Sequence, residues 1–138
     1  MTSNAERMLS DDRASRAMGI EVLAVGDGAA RARMRVTADM ANGHAIAHGA
    51  FVFALADTTF ACACNSVGPA SVAAAAEIVF VAPAVVGDEL TAEAELRTQF
   101  GRTGIYDVTV RRGDEVIAEF RGRSQQVADR ESPQIRSG

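Results

Sequence analysis

The chain has 138 residues, enough for one domain that buries roughly 70% of the surface its unfolded form exposes, and too few for separate cofactor and substrate lobes. Its 48% hydrophobic and 23% charged residues are ordinary for a globular protein and exclude a disordered, collagen-like or coiled-coil chain. A net charge of −4, with basic residues scattered among acidic ones, leaves no cationic patch and argues against a nucleic-acid partner.

The first 18 residues carry Glu6, Arg7, Asp11, Asp12, Arg13 and Arg16, so they lack the uncharged core of an export signal. Asp11 and Asp12 as caps, with Gly19 as a stop, predict a short surface helix over residues 13–18. Residues 20–25 and 29–36 read as strands around the turn Gly26-Asp27-Gly28. The second alternates Arg31, Arg33 and Arg35 with Ala32, Met34 and Val36, which gives it one wet face. Periodicity disappears over residues 37–47, where Asn42-Gly43-His44 forms a turn.

Residues 49–64 are apolar on every side except at Asp57, which predicts a helix buried nearly all round. The run is too short to cross a membrane comfortably and has that acid in its middle. Residues 71–81, 90–100, 104–111 and 115–127 are rich in Val, Ile and Thr and are separated by turn signals, so four more strands follow in antiparallel succession. The expected fold is α+β: one long helix wrapped by a curved antiparallel sheet of about six strands, the hotdog architecture. Residues 1–127 form the single domain, and residues 128–138 are expected to be a disordered tail. The uncovered sheet edge predicts at least a dimer.

Asp57 is the first candidate for chemistry, because a carboxylate in an apolar helix is costly unless it is paired or reaches a cleft. The bland alternative is an acid bonded to a neighbouring strand. The helix start is the second candidate. Early helix N–H groups lack intrahelical partners, and Gly49 has no side chain to block an approaching carbonyl, although an ordinary flexible entry fits the same residues. Cys62 and Cys64 point about 160° apart on a helix, so they suit core packing rather than a metal, and without another cysteine the chain fits a reducing cytoplasm. His44 and His48 have no Cys or Glu at ligand spacing beside them, so neither a metal nor a cofactor is expected. Arg102, in the turn Gly101-Arg102-Thr103-Gly104, is a cation placed to touch a phosphate. No nucleophile-elbow serine is present.

Asn42-Gly43-His44, His48-Gly49, Leu55-Ala56-Asp57, Ala63-Cys64-Asn65-Ser66 and the segment from Gly101 to Asp107 resemble the hotdog acyl-CoA thioesterases of the phenylacetate-degradation (PaaI) family. The resemblance spans residues 14–127. It implies an oxyanion N–H at Gly49, a catalytic carboxylate at Asp57, and Asn42 and His48 as supporting polar groups. Two departures stand out. Ala50 replaces a second glycine and narrows the space beside a thioester, and Ala73-Ala74-Ala75-Ala76 occupies the strand where relatives place a hydroxyl near the attacking water.

The expected reaction is hydrolysis of an aryl-acetyl-CoA, or another medium acyl-CoA, to the free acid and CoA. Asp57 acts as general base or as nucleophile; Asn42 fixes the water or the carbonyl, and His48 holds the loop. A hydratase or dehydratase of 2-enoyl thioesters in the same fold, and a non-catalytic acyl-CoA sensor, are the alternatives. Gly49 and Asp57 lie eight residues apart on one helix, about 12 Å along its axis and turned about 80°. That is too far to serve one carbonyl, so each site is expected to be shared between subunits of a dimer or a dimer of dimers.

Overall fold

The computed structural model describes residues 4–127; the tail expectation lies outside them. Two strands, β1 (Glu21–Gly26) and β2 (Ala29–Arg35), are joined by a two-residue turn in which Asp27 and Gly28 have φ of 56° and 80°. Asp-Gly tolerates two left-handed residues, and that geometry matches the twist of the strands it joins. The alternation in β2 behaves as expected: Ala30, Ala32 and Met34 are buried while Arg31, Arg33 and Arg35 face outward.

The helix α3 spans Gly49–Cys64. It lies across a six-stranded antiparallel sheet completed by β3 (Ser71–Phe80), β4 (Glu89–Phe100), β5 (Thr103–Arg112) and β6 (Glu115–Gln126). Small side chains at Ala32, Ala92 and Ala94 let the helix come close to β2 and β4. Phe60 locks its far end. The ring lies directly over Gly122, where any Cβ would stand 2.7 Å from it, and packs at 5.6 Å from Tyr106 and 5.7 Å from Phe120. Burying such a ring contributes about 1.5–3 kcal/mol.

Three expectations need correction. The strands after the helix are not one antiparallel succession, because the order is β1-β2-β4-β5-β6-β3 and β3 pairs with β6 at the far edge. Residues 81–88 carry the chain back across the sheet: Val81 donates to Ile117, Ala84 accepts from Ala47, and the Asp88 carbonyl accepts from Val36. Sequence neighbours pair in sheets about two-thirds of the time, and here Pro83 and these bonds prevent a hairpin. Second, α3 is not buried all round. Ala50 is exposed, and Phe53, Ala54, Asp57 and Ala61 form a half-buried stripe at helical spacing. Third, two short helices precede β1. The predicted one, α2 (Arg13–Ala17), is capped by Asp12 alone, whose carboxylate accepts from the Ser15 N–H, and α1 (Asn4–Ser10) comes before it.

Candidate active site

The first turn of α3 is built by the loop before it and by the 81–88 crossing. His48, in extended backbone conformation, is the N-cap: its Nδ1 accepts the Ala50 N–H at 3.2 Å, while its own N–H donates to the Met40 carbonyl at 2.7 Å. The Phe51 N–H donates to the His48 carbonyl. The Gly49 N–H has no hydrogen-bond partner among the described residues. It therefore carries the positive end of the helix with its donor free.

Asn42 completes this end. Its Oδ1 accepts the N–H groups of His44 at 2.8 Å and Ile46 at 3.4 Å, which folds the loop back on itself. Its oxygen is therefore occupied inside the loop, and its amide N–H₂ is the part without a partner among the described residues. Asn42 and Gly49 line one cavity of about 510 Å³ together with Val52, Phe80, Pro83 and Ile117. Ala84, in the crossing segment, also lines it and is tied to the loop through Ala47.

Asp57 is not part of that lining. It sits two turns further along α3, in the half-buried stripe, and has no hydrogen-bond or ion-pair partner among the described residues. The bland reading of an acid bonded to a neighbouring strand does not hold. Burial pushes its carboxyl above the ordinary carboxylate range, and the Asp12 charge pushes it the same way. Asp12 reaches this neighbourhood because its second oxygen accepts from Ser15 Oγ, which lies 2.8 Å from the Thr58 hydroxyl.

Arg102 is exposed, with its carbonyl accepting from Gln126. It stands at the end of the sheet where Ser71 pairs with Gln126, opposite the end where Phe80 pairs with Ala118 beside Gly49. Within one chain, then, Asn42, His48 and Gly49 come together, while Asp57 and Arg102 stand apart from them. Cys62 and Cys64 are buried, and burial raises both thiols to about 12, so neither is a thiolate at neutral pH. Among the described residues no three His, Cys, Asp or Glu side chains converge, and no helix is long and apolar enough to cross a membrane.

Two features escaped the sequence reading. Phe80 ends an alanine-rich strand, and its aromatic ring next to Pro83 was the available signal; the approach of Asp12 to Asp57 leaves no local pattern. The pattern of the Thioesterase superfamily matches residues 44–119, across the loop, α3 and four of the strands. The acyl-coenzyme A thioesterase PaaI of Escherichia coli (strain K12) is 45% identical over 125 residues, 90% of this chain and 89% of that protein. The chain belongs to the PaaI family of thioesterases.

Solved structures agree with the family's fold. The E. coli PaaI protein from the phenylacetic acid degradation operon superimposes with a TM-score of 0.88 at 43% identity, covering 91% of this chain and 92% of that one. A mutant of the phenylacetic acid degradation protein PaaI from Thermus thermophilus gives 0.81 at 34% identity, covering 84% and 100%. The hotdog architecture of this PaaI-family chain is the expected one, with β3 as the displaced element.

Proposed function

We propose that the protein hydrolyses an aryl-acetyl-CoA, or another medium acyl-CoA, to the free acid and CoA, in sites shared between two subunits. The observation that carries the reading is the free Gly49 N–H at the rim of a 510 Å³ cavity on a thioesterase-family helix whose carboxylate has no partner among the described residues. The aryl-acetyl preference draws support from the E. coli relative's place in a phenylacetic acid degradation operon.

The thioester oxygen takes the Gly49 N–H, and the free amide of Asn42 donates to the same oxygen. As the carbonyl becomes tetrahedral, both bonds and the helix dipole stabilise the growing negative charge. Asp57 of the partner subunit removes a proton from the attacking water, and the tetrahedral intermediate then breaks its C–S bond and passes that proton from Asp57 to the CoA thiolate. In the nucleophilic alternative the carboxylate attacks the carbonyl, and the C–S bond breaks to leave an anhydride and free thiolate. Water then opens the anhydride to the free acid and Asp57, its proton going to the thiolate; the leaving group is good enough to need no separate acid. The Ala73–Ala76 run supplies no hydroxyl to hold the water, so the water depends on Asp57.

The exposed outer edge of β3, with Val72 and Val79 more than half accessible, supports antiparallel pairing with its copy. The two-fold axis of that pairing runs opposite ends of the sheets past each other. On this reading it carries Asp57 and Arg102 of the partner subunit toward the Gly49 end, where Arg102 of the partner subunit would meet a CoA phosphate.

Release of free thiol from a panel of acyl-CoAs tests this reading. Thiol release with an aryl-acetyl or medium acyl-CoA is expected. A change in enoyl absorbance without thiol would indicate a hydratase, and tight binding with neither signal would indicate a sensor.

A further inference from the structure

Phe80 is the last residue of β3 and pairs with Ala118, so its side chain shares the inner face with Ile78 and points toward the helix. Three atoms of its ring lie 2.8, 3.2 and 3.4 Å from the place a Cβ on Gly49 would take. The ring thus rests on the Gly49 α-carbon, in contact only because that residue is glycine. Yet Phe80 is 53% exposed, so one side of the ring is seated on the helix and the rest faces the cavity and solvent. Within one chain the ring is thus open beside a free N–H, where an acyl group held by that N–H meets it.

Resting on the thioesterase reading above, we propose that Phe80 is the wall that selects the acyl group, favouring an aryl ring one methylene from the carbonyl over a straight chain. A carbonyl oxygen held about 2.9 Å from the Gly49 nitrogen puts the first acyl atoms within contact distance of a ring seated on the same residue. The ring of an aryl-acetyl group then meets Phe80 at the roughly 4.5–7 Å separations where aromatic pairs attract beyond their buried area. A straight chain offers methylenes and gains only the area term. Val52, Pro83 and Ile117 line the same cavity with apolar surface but offer no second ring.

The test compares phenylacetyl-CoA with hexanoyl-CoA in the wild type and in Phe80→Leu, Phe80→Met and Phe80→Tyr. Leu and Met keep an apolar side chain without a ring, and either suffices if the other does not fold; Tyr restores the ring. Thiol release should show the kcat/KM ratio of aryl to straight-chain substrate falling about fivefold in Leu or Met, mostly through KM, and returning in Tyr. Equal losses on both substrates would mean that Phe80 only packs the structure and would overturn the proposal. The same variants are titrated calorimetrically with the non-hydrolysable thioethers S-phenethyl-CoA and S-hexyl-CoA. Selective loss of phenethyl binding, with no thiol released from any thioester, would uphold Phe80 and overturn the hydrolase reading. Parallel loss of both thioethers would overturn Phe80 whatever the hydrolysis shows.

Discussion

The first turn of α3 and its middle turn are built in opposite ways. At the first turn the chain supplies everything from its own elements: a histidine cap, a loop folded around Asn42, a crossing segment beneath, and one donor left free at Gly49. In the middle turn, Asp57 stands in a half-buried stripe with no described partner, and its surroundings disfavour its charge. On the proposed reading, one chain finishes the electrophilic end of a site and leaves the basic end open. A single helix cannot bend its own third turn back onto its first, so in the proposed mechanism the carboxylate comes from a second copy of the same helix.

Removing the base should show the largest effect. Asp57→Asn keeps the shape and removes the proton acceptor, and turnover on the best acyl-CoA is expected to fall at least about a hundredfold. Steady-state thiol release decides it, and near wild-type turnover would mean that the base lies elsewhere.

Mixing variants sharpens the comparison between the two turns. Gly49 is the first helical residue, its φ is not positive, and His48 before it is extended, so Gly49→Pro suits the backbone and deletes the N–H. Its Cβ, 2.8 Å from the Phe80 ring, must push that ring aside in the same subunit; the intact site of a hybrid uses the other subunit's Gly49 and Phe80 and is unaffected. Co-refolded in equal amounts with Asp57→Ala, about half the dimers are hybrids, each holding one site with both defects and one with neither. Roughly a quarter of wild-type activity should return. If each site came from one chain, no site would be whole and none would return, in a mixture shown by native mass spectrometry to contain hybrids.

The same contrast explains what could be read from the sequence. The bounds of α3 were legible because Gly49 and Asn65 punctuate an apolar block broken only at Asp57-Thr58-Thr59, and β2 was legible because its arginines alternate with apolar residues. Both signals are local. The place of β3 is not local: Val72 to Ala76 look like a buried strand, yet they are exposed at a sheet edge, and only the hydrogen bonds of residues 81–88 show where the chain crosses. The apolar block also concealed the half-buried stripe, since alanine and phenylalanine read as core whether their cover is the same chain or another. Of the site, Gly49 and Asp57 stood out as breaks in a pattern. Phe80 did not, because its role depends on contact with a residue 31 positions earlier.

The smallest effect concerns stability and has the opposite sign to the loss of turnover. Asp57 binds its proton more tightly in the folded chain than in the unfolded one, through burial first and the Asp12 charge second. As pH rises through the ordinary carboxylate range, the unfolded chain loses this proton before the folded chain does, and stability falls until the raised folded value is passed. Below that range the group is protonated in both states and costs nothing. Above the raised folded value the full cost is present, lessened by the half-exposed setting of the side chain. An asparagine at this position carries no charge at any pH, so Asp57→Asn should unfold at a slightly higher temperature than wild type at pH 7 and at nearly the same temperature below the carboxylate range. Thermal unfolding at the two pH values gives the comparison, with every other carboxylate common to both proteins. A variant less stable than wild type at pH 7 would show that the carboxylate is held by a favourable partner in the assembled protein. A more stable one would show that the carboxylate at the open end of α3 is carried at the expense of the fold, as the raised affinity for its proton requires.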